Sequence, residues 1–362
     1  MGQVSLDSVT VRLARTVENS RRTAALALVA AVLAPLALAN SYQINVLVLV
    51  LVFVLLALSV DLLLGFTGYL SLAHHGLWGV GAYTSAVLAV KADVPVLLAM
   101  LVATGFTAVF AAAVAVPTFR VRGHYFALAT LAVGELVVLV LNNWVEVTEG
   151  PFGLTGIPAP RVPLVGTVES RLLYYYATLL VLVGVVAGVV RLLRSPFGLC
   201  LRAIREDEGL AEAQGLRLVR YKVSAYALSG LIAGIAGALF AHYQQVLGPD
   251  NFAIQYMAEM LVMVIVGGSG FVAGSVVGPL VFVTLPELYR ALGELRLVLF
   301  GAVLVVVVIR APEGIVGLVR EWTRRTVRGR QDAFDPDESA PERTKRRTET
   351  DGSGDENGGD HT

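Results

Sequence analysis

From Val46 to Leu64 the chain carries a single ionisable side chain, Asp61. A hydrocarbon layer of about 30 Å is crossed by about 20 helical residues rising 1.5 Å each, so this run has the length and the polarity of a membrane-spanning helix. Similar runs recur at Pro95–Val116, Tyr125–Asn142, Leu172–Leu193 and Val223–Tyr243. Across the 362 residues, 56% are hydrophobic, 15% are charged and the mean hydropathy is +0.71, far more apolar than a soluble domain of this size. The fold class expected is therefore all-α, a polytopic transmembrane helical bundle.

Charge sorts the connecting segments. Residues 1–22 form a polar leader with Arg12, Arg15, Arg21 and Arg22, and excess arginine holds a segment in the cytoplasm. Ala24–Ala39 follows the Arg21–Arg22 pair and ends in Ala37-Leu38-Ala39, so it has features of a signal-peptide core. The pair lacks the usual sequel and Pro35 interrupts the run, which favours a retained first span. After a polar turn at Asn40–Asn45 and the Val46–Leu64 span, Gly65 to Val90 is rich in glycine (Gly65, Gly68, Gly76, Gly79, Gly81) and reads as a broken or closely packed helix.

Arg120, Arg122 and His124 mark a cytoplasmic loop, whereas Trp144–Arg171, with Glu146, Glu149 and many Pro and Gly residues, is an external one. Between Arg191 and Lys222 lies a polar island with seven basic and four acidic residues, a charge density found nowhere else before the C-terminal tail. Val223–Tyr243 then carries Gly230, Gly234 and Gly237 as a small-residue stripe that lets helices approach closely. Gly267–Pro279 reads as a tight cytoplasmic turn between two short or broken spans, followed by an outer loop near Glu287–Arg296 and a last span at Leu297–Ile309. Beyond it, Ile315–Arg328 has an apolar face suited to the membrane surface, and residues 330–362 have the composition of a disordered charged tail.

Six spans separate the leader from the island and four separate the island from the tail. Both counts are even, so about ten spans put the leader, the island and both termini on the cytoplasmic side of a cell membrane. The domains expected are the leader 1–22, a transmembrane domain 23–329 that contains the cytoplasmic loop 195–222, and the tail 330–362.

Motifs for chemistry are missing. There is no GxxxxGK[ST] phosphate loop, no GxSxG elbow, no metal-ligand spacing, and Cys200 is the one cysteine. The chain is expected to be no enzyme, with no catalytic residue, no metal and no bound cofactor, and nothing in it points to nucleic acid. Adjacent His74 and His75 would point about 100° apart on a helix and cannot form one ligand pair. Ionisable residues inside spans are the default functional candidates: Asp61, His74, His75, Glu135 and Glu259. Asp61 and Glu259 lie near span ends and read as structural. His74, in the glycine-rich break, and Glu135, at mid-span, stand evenly between a functional and a structural reading.

Five stretches, in order, resemble successive signatures of the LivM-type permeases of branched-chain amino acid ABC importers: GYLSLAHHGLWGVGAYTSAVL, GHYFALATLAVGEL, TEGPFGLTGI, the island SPFGLCLRAIREDEGLAEAQGLRLVRYK and VGGSGFVAGSVVGP. The resemblance covers about Val46 to Leu318. It implies the ABC importer permease fold and a pore-forming subunit working with a LivH-like sister permease, two cytoplasmic ATPase subunits that use the ATP, and an extracytoplasmic amino-acid-binding protein, all in contact with membrane lipid. It also implies that the island holds a short coupling helix that docks on the ATPase, moving as a rigid unit when the ATPase dimer closes. On this reading Glu206, Asp207, Glu208, Ala211, Glu212, Ala213 and Gly215 make the coupling element, with Asp207 as N-cap and Gly215 just past its end. Ser71, His74 and Glu135 are candidates for the translocation path, and Gly65, Gly68, Gly267 and Gly268 for structural glycines.

Two departures from the family pattern stand out. Ser59-Val60-Asp61-Leu62 replaces the usual Gly-Leu-Asn-Leu, and Ala73 replaces a glycine before the histidines. Alternatives are a permease for urea or short-chain amides and, from a different class, a proton-coupled carrier that would use Glu135 or Asp61 and need no ATPase.

Overall fold

The computed structural model describes residues 25–35, 40–121, 123–162, 166–167 and 170–288, with 301, 310, 314–318 and 321. The leader 1–22, Arg122, the last span 297–309 apart from residue 301, and the tail 330–362 lie outside the described residues. Of the surface helix expected from Ile315, residues 315–318 and 321 are described and are helical. The chain divides into two compact units, Met1–Gly317 and Leu318–Thr362, and the helical bundle belongs to the first.

Between residues 25 and 288 twelve α-helices are described: α1 (Ala25–Pro35), α2 (Ser41–Thr67), α3 (His74–Lys91), α4 (Val96–Thr118), α5 (His124–Asn143), the one-turn α6 (Val145–Thr148), α7 (Arg171–Leu193), α8 (Pro196–Glu206), α9 (Glu208–Ala213), α10 (Leu218–Gln244), α11 (Ile254–Gly267) and α12 (Val272–Leu288). Among the described residues, six stretches are long and apolar enough to cross a membrane: Tyr42–Thr67, Val96–Thr118, His124–Asn143, Arg171–Leu193, Leu218–Gln244 and Pro249–Gly267. The apolar helices α1 and α12 are shorter. The protein is an all-α membrane bundle, its described strands limited to two-residue pairings: β1 (Leu154–Thr155) with β4 (Val246–Leu247), and β2 (Arg161–Val162) with β3 (Gly166–Thr167).

Two boundaries differ from the sequence reading. The expected turn at Asn40–Asn45 is largely the first turn of α2, where the Asn45 amide oxygen accepts a 2.6 Å hydrogen bond from the Tyr243 hydroxyl on α10. The expected turn over Gly267–Pro279 shrinks to Gly268–Phe271, and α12 runs through Pro279 and Pro286. The later glycines of that stretch serve packing, since a Cβ on Gly278 would run into the carbonyl of Met263 on α11. They let α11 and α12 lie against each other as an antiparallel pair.

Helix α3 is the centre of the bundle. Its composition is too polar and too rich in glycine for a helix facing lipid, and it is buried on most sides. The glycines set the distances. A Cβ on Gly76 would lie 2.9 Å from the Gly134 Cα on α5; one on Gly81 would strike Gly234, 2.6 Å from its Cα; one on Gly237 would lie 2.7 Å from the Ala82 nitrogen. On the far side of α10, Gly234 presses against Thr107 of α4. Helices α3, α10 and α4 therefore meet nearly backbone to backbone, the small-residue solution to helix association where no water drives it. Outward, α4 and α5 present Leu101, Phe106, Val109, Leu128, Leu136 and Leu139, apolar side chains left exposed.

The two ends of the bundle differ in charge. One gathers the α2–α3 and α4–α5 connections, α8, α9 and the α11–α12 turn, and carries Arg120, Arg191, Arg194, Arg202, Arg205, Arg217, Arg220 and Lys222. At the other, Lys91 pairs with Glu149 at 2.6 Å and donates to the Glu146 carbonyl at 2.7 Å, β1 pairs with β4, and His242 donates from Nδ1 to the Pro158 carbonyl at 2.7 Å. Near it, α1 is held to α7 by the Tyr175 hydroxyl donating to the Ala31 carbonyl, 2.7 Å.

Candidate functional site

At the basic end, α7 hands over to two short helices. Ser195 and Pro196 begin α8, whose Gly198, Leu201 and Ile204 face inward. Proline suits this position because the first-turn N–H groups have no helical acceptor to lose. The polar island hides this helix within its charge, and it was not distinguished in the sequence. Asp207 then breaks the helix in an extended conformation and starts α9, accepting the Leu210 N–H at 2.9 Å on its side-chain oxygen. Gly215, at φ +85°, follows the end of α9 in the left-handed region that favours glycine.

The acids of the island divide by what they touch. Glu208 turns back toward the bundle, forms an ion pair with Lys222 of α10 and accepts a hydrogen bond from the Tyr69 hydroxyl. Lys222, 5% exposed, also donates to Tyr69 Oη at 2.5 Å, its ammonium lying 4.5 Å from the Tyr69 ring centre. Ala211 is buried in a small cluster with Ile204 and Leu218. Glu206, Glu212 and Ala213 are exposed, as is Leu210 at 60%. Asp207, Glu208 and Ala211 thus build and anchor α9, and its outward surface consists of Leu210, Glu212 and Ala213 with Glu206 at its edge.

A second tie lies beside the first. Arg205 of α8 donates to the Gly65 carbonyl of α2. Gly65 has no room for a side chain, since its Cβ would lie 2.7 Å from the Cα of Gly270 in the α11–α12 turn. Asp61, one turn earlier and fully buried, accepts from the Gly270 N–H at 2.8 Å on one oxygen and from the Ser275 hydroxyl at 3.0 Å on the other. Gly68 ends α2 at φ +78°. Gly267 closes α11 against Gly274 and Gly278 of α12, and Gly268 opens the turn at φ +113°. Asp61 is therefore an interhelical fastening, and its second oxygen gives it one acceptor more than an asparagine would have there.

Residues 68–73 are not helical, and the polar groups they free are met by side chains. The Leu72 N–H donates to Thr130 Oγ1 of α5 at 3.0 Å, and Ser71 Oγ lies 3.0 Å from the Tyr226 hydroxyl of α10. His74 faces α10: Ser229 gives its hydroxyl proton to the Ser59 carbonyl at 2.7 Å, so His74 Nε2 donates to Ser229 Oγ at 2.7 Å. His75 faces α5 instead, its Nε2 3.4 Å from Glu135 Oε1. The divergence of the two histidines follows from their adjacency on a helix.

The three path candidates are therefore not brought together. Ser71 and His74 are buried in ties between α2, α3 and α10. Glu135 is on the far side, in the middle of α5, 48% exposed and backed by fully buried His75. Tyr69, Arg205 and Lys222 were not singled out by sequence reasoning. A lysine within the first turns of a long apolar helix was the available signal for Lys222.

The sequence matches the family described as "Branched-chain amino acid transport system / permease component" over residues 42–308. It is 31% identical to the high-affinity branched-chain amino acid transport system permease protein LivM of Escherichia coli (strain K12), over 73% of this chain and 68% of that protein. The protein of the same name from Salmonella typhimurium shares 31% identity over 73% and 68%. A probable branched-chain amino acid transport permease protein LivM of Methanocaldococcus jannaschii shares 26% over 61% and 68%. No solved structure gives a significant match.

Proposed function

Because the chain belongs to the permease-component family of branched-chain amino acid transport systems, we propose that it is a membrane subunit of an ATP-driven importer that carries branched-chain amino acids into the cytoplasm. The observation that carries the mechanistic part is α9. It is too short to span a membrane, is capped at both ends, is tied to the bundle through Glu208 and Lys222, and offers Leu210, Glu212 and Ala213 to a partner. The basic side chains gathered at that end favour a cytoplasmic location, where a partner ATPase subunit would receive it.

Glu135 supports a place for the sister permease. An ionisable side chain half exposed in the middle of a span is costly against lipid, so the α5 face with Leu128, Ala132, Glu135 and Leu139 turns to the second permease, at the seam through which substrate passes. An extracytoplasmic binding protein would deliver the amino acid at the opposite end, over the β1–β4 pairing.

The experiment is a double substitution, Glu212→Arg with Gly215→Val, in the chain co-expressed with its sister permease and ATPase subunits. The first reverses the charge of the outward face; the second puts a branched side chain at φ +85°. The expected result is an unchanged amount of the chain in the membrane, with the ATPase lost on purification and leucine uptake abolished. Normal ATPase retention and normal uptake would rule out α9 as the docking element.

A further inference from the structure

A cavity of about 340 Å³ lies between α2, α3, α10, α11 and α12. Its walls are aromatic: Phe53, Phe240 and Tyr256 gather round Trp78, with ring centres 6.2, 4.8 and 5.7 Å from the indole. Set among these rings is one carboxylate, Glu259, which shares a face of α11 with Tyr256 three residues before it. Among the described residues no Lys, Arg or His lines the cavity, and none pairs with or hydrogen-bonds to the Glu259 carboxylate. Every other acid in the described interior has donors: Asp61 has Gly270 and Ser275, and Glu208 has Lys222 and Tyr69.

A carboxylate left without a cation in an apolar, aromatic recess of a membrane protein is expensive to retain. The ligand chemistry that offsets it is an ammonium group, which pairs with the carboxylate and is attracted to the faces of aromatic rings. The cavity also offers a complementary donor. Asn251 accepts the Gly248 N–H on Oδ1 at 2.9 Å, which fixes its amide and leaves the Nδ2 hydrogens for an anionic group. The volume falls at the small end of the range for small-molecule sites, roughly 300–1,000 Å³. Glu259 lies in the second turn of α11, about 8 Å along the helix from Ile254 at the end opposite α9.

We infer that this cavity binds an apolar amino acid as its zwitterion, with Glu259 taking the ammonium group, Asn251 the carboxylate, and Phe53, Trp78 and Phe240 the alkyl side chain. This rests on the proposed importer function and adds to it a substrate site inside this subunit, in the half of the bundle that faces the binding protein. It also gives Glu259 a role that its position near a span end did not disclose.

The test uses the complete transporter in detergent, without its binding protein, and reads thermal stabilisation by three probes: L-leucine, 3-methylbutylamine, which lacks the carboxylate, and 4-methylpentanoate, which lacks the ammonium. A ligand that binds only the folded protein, at free concentration c, stabilises it by RT ln(1 + c/Kd), so the concentration needed for a given shift follows the affinity. Leucine and the amine should stabilise the unmodified complex and the acid should not. Glu259→Gln should raise the leucine concentration needed by at least about tenfold, and Val283→Trp, which fills the cavity and keeps the carboxylate, should do the same.

Stabilisation by leucine that is equal in both variants, or by 4-methylpentanoate as strongly as by the amine, would overturn the inference. So would a complex that imports leucine with its binding protein and ATP, shows no stabilisation by leucine, and transports normally with Glu259→Gln. A complex that imports no branched-chain amino acid at all would overturn the underlying functional reading instead.

Discussion

Replacing Lys222 with methionine keeps the apolar stem and removes the ammonium that faces Glu208 and Tyr69. Lys222 is 5% exposed and the Glu208 side chain 24% exposed. Removing one partner of a fully buried ion pair costs about 3–5 kcal/mol, chiefly through the charge left behind. Water reaches part of Glu208, so the expected cost of Lys222→Met is about 2 kcal/mol, a factor of about thirty in the equilibrium that holds α9 on the bundle. Glu208→Gln should cost a similar amount, because it leaves a nearly buried lysine without its carboxylate.

The two losses describe one interaction, so the double variant should cost about as much as either single one. Trypsin provides the assay. Arg217 and Arg220 flank the start of α10, and cleavage there requires that region to open, so the cleavage rate follows the opening equilibrium when reclosing is fast. Each single variant should be cut about thirty times faster than the parent, and the double variant about thirty times faster rather than about nine hundred. Single variants cut at the parental rate, or a double variant showing the product of the two factors, would refute the claim that this pair anchors α9.

Other expectations concern the interior. Asp61→Asn should fold nearly as well as the parent, because Gly270 keeps an acceptor and the Ser275 hydroxyl can turn to accept from the new amide. Asp61→Leu strands both buried donors at about 1–3 kcal/mol each and should reduce the recovered monodisperse protein sharply. Gly234→Val pushes a branched side chain into Thr107 and the Thr104 backbone of α4, a clash worth about 3 kcal/mol or more, and should be read as loss of folded protein in size-exclusion chromatography.

Local rules carried the sequence reading far where local physics decides the outcome. Hydropathy placed the long helices α2, α4, α5, α7 and α10, because each long apolar run has one way to meet the bilayer. The divergence of His74 and His75 needs only the helical repeat. The caps of α9 lie within the segment they cap, so Asp207 and Gly215 could be named from spacing. Where outcomes depend on distant partners, the sequence was mute. Tyr69 meets Glu208 and Lys222 across more than a hundred residues, so nothing near any of them announces the other two. Glycine was ambiguous for a related reason. In Gly267–Pro279 it serves a turn at Gly268 and Gly270 and helix packing at Gly274 and Gly278, and only the neighbouring helix separates the two uses.

The fastenings of α9 also fix where a push on it would travel. Glu208 leads to Tyr69 and Lys222, and Arg205 leads to the Gly65 carbonyl. A force entering at α9 would reach α2, α10 and the stretch 68–73 through these ties. Of these, α10 is locked by glycine to α3 and α4 and can yield only as part of a block. The stretch 68–73 has no ladder of helical hydrogen bonds to resist bending. If α9 docks as proposed, this stretch would be the compliant joint, with the load applied at Tyr69 near its start.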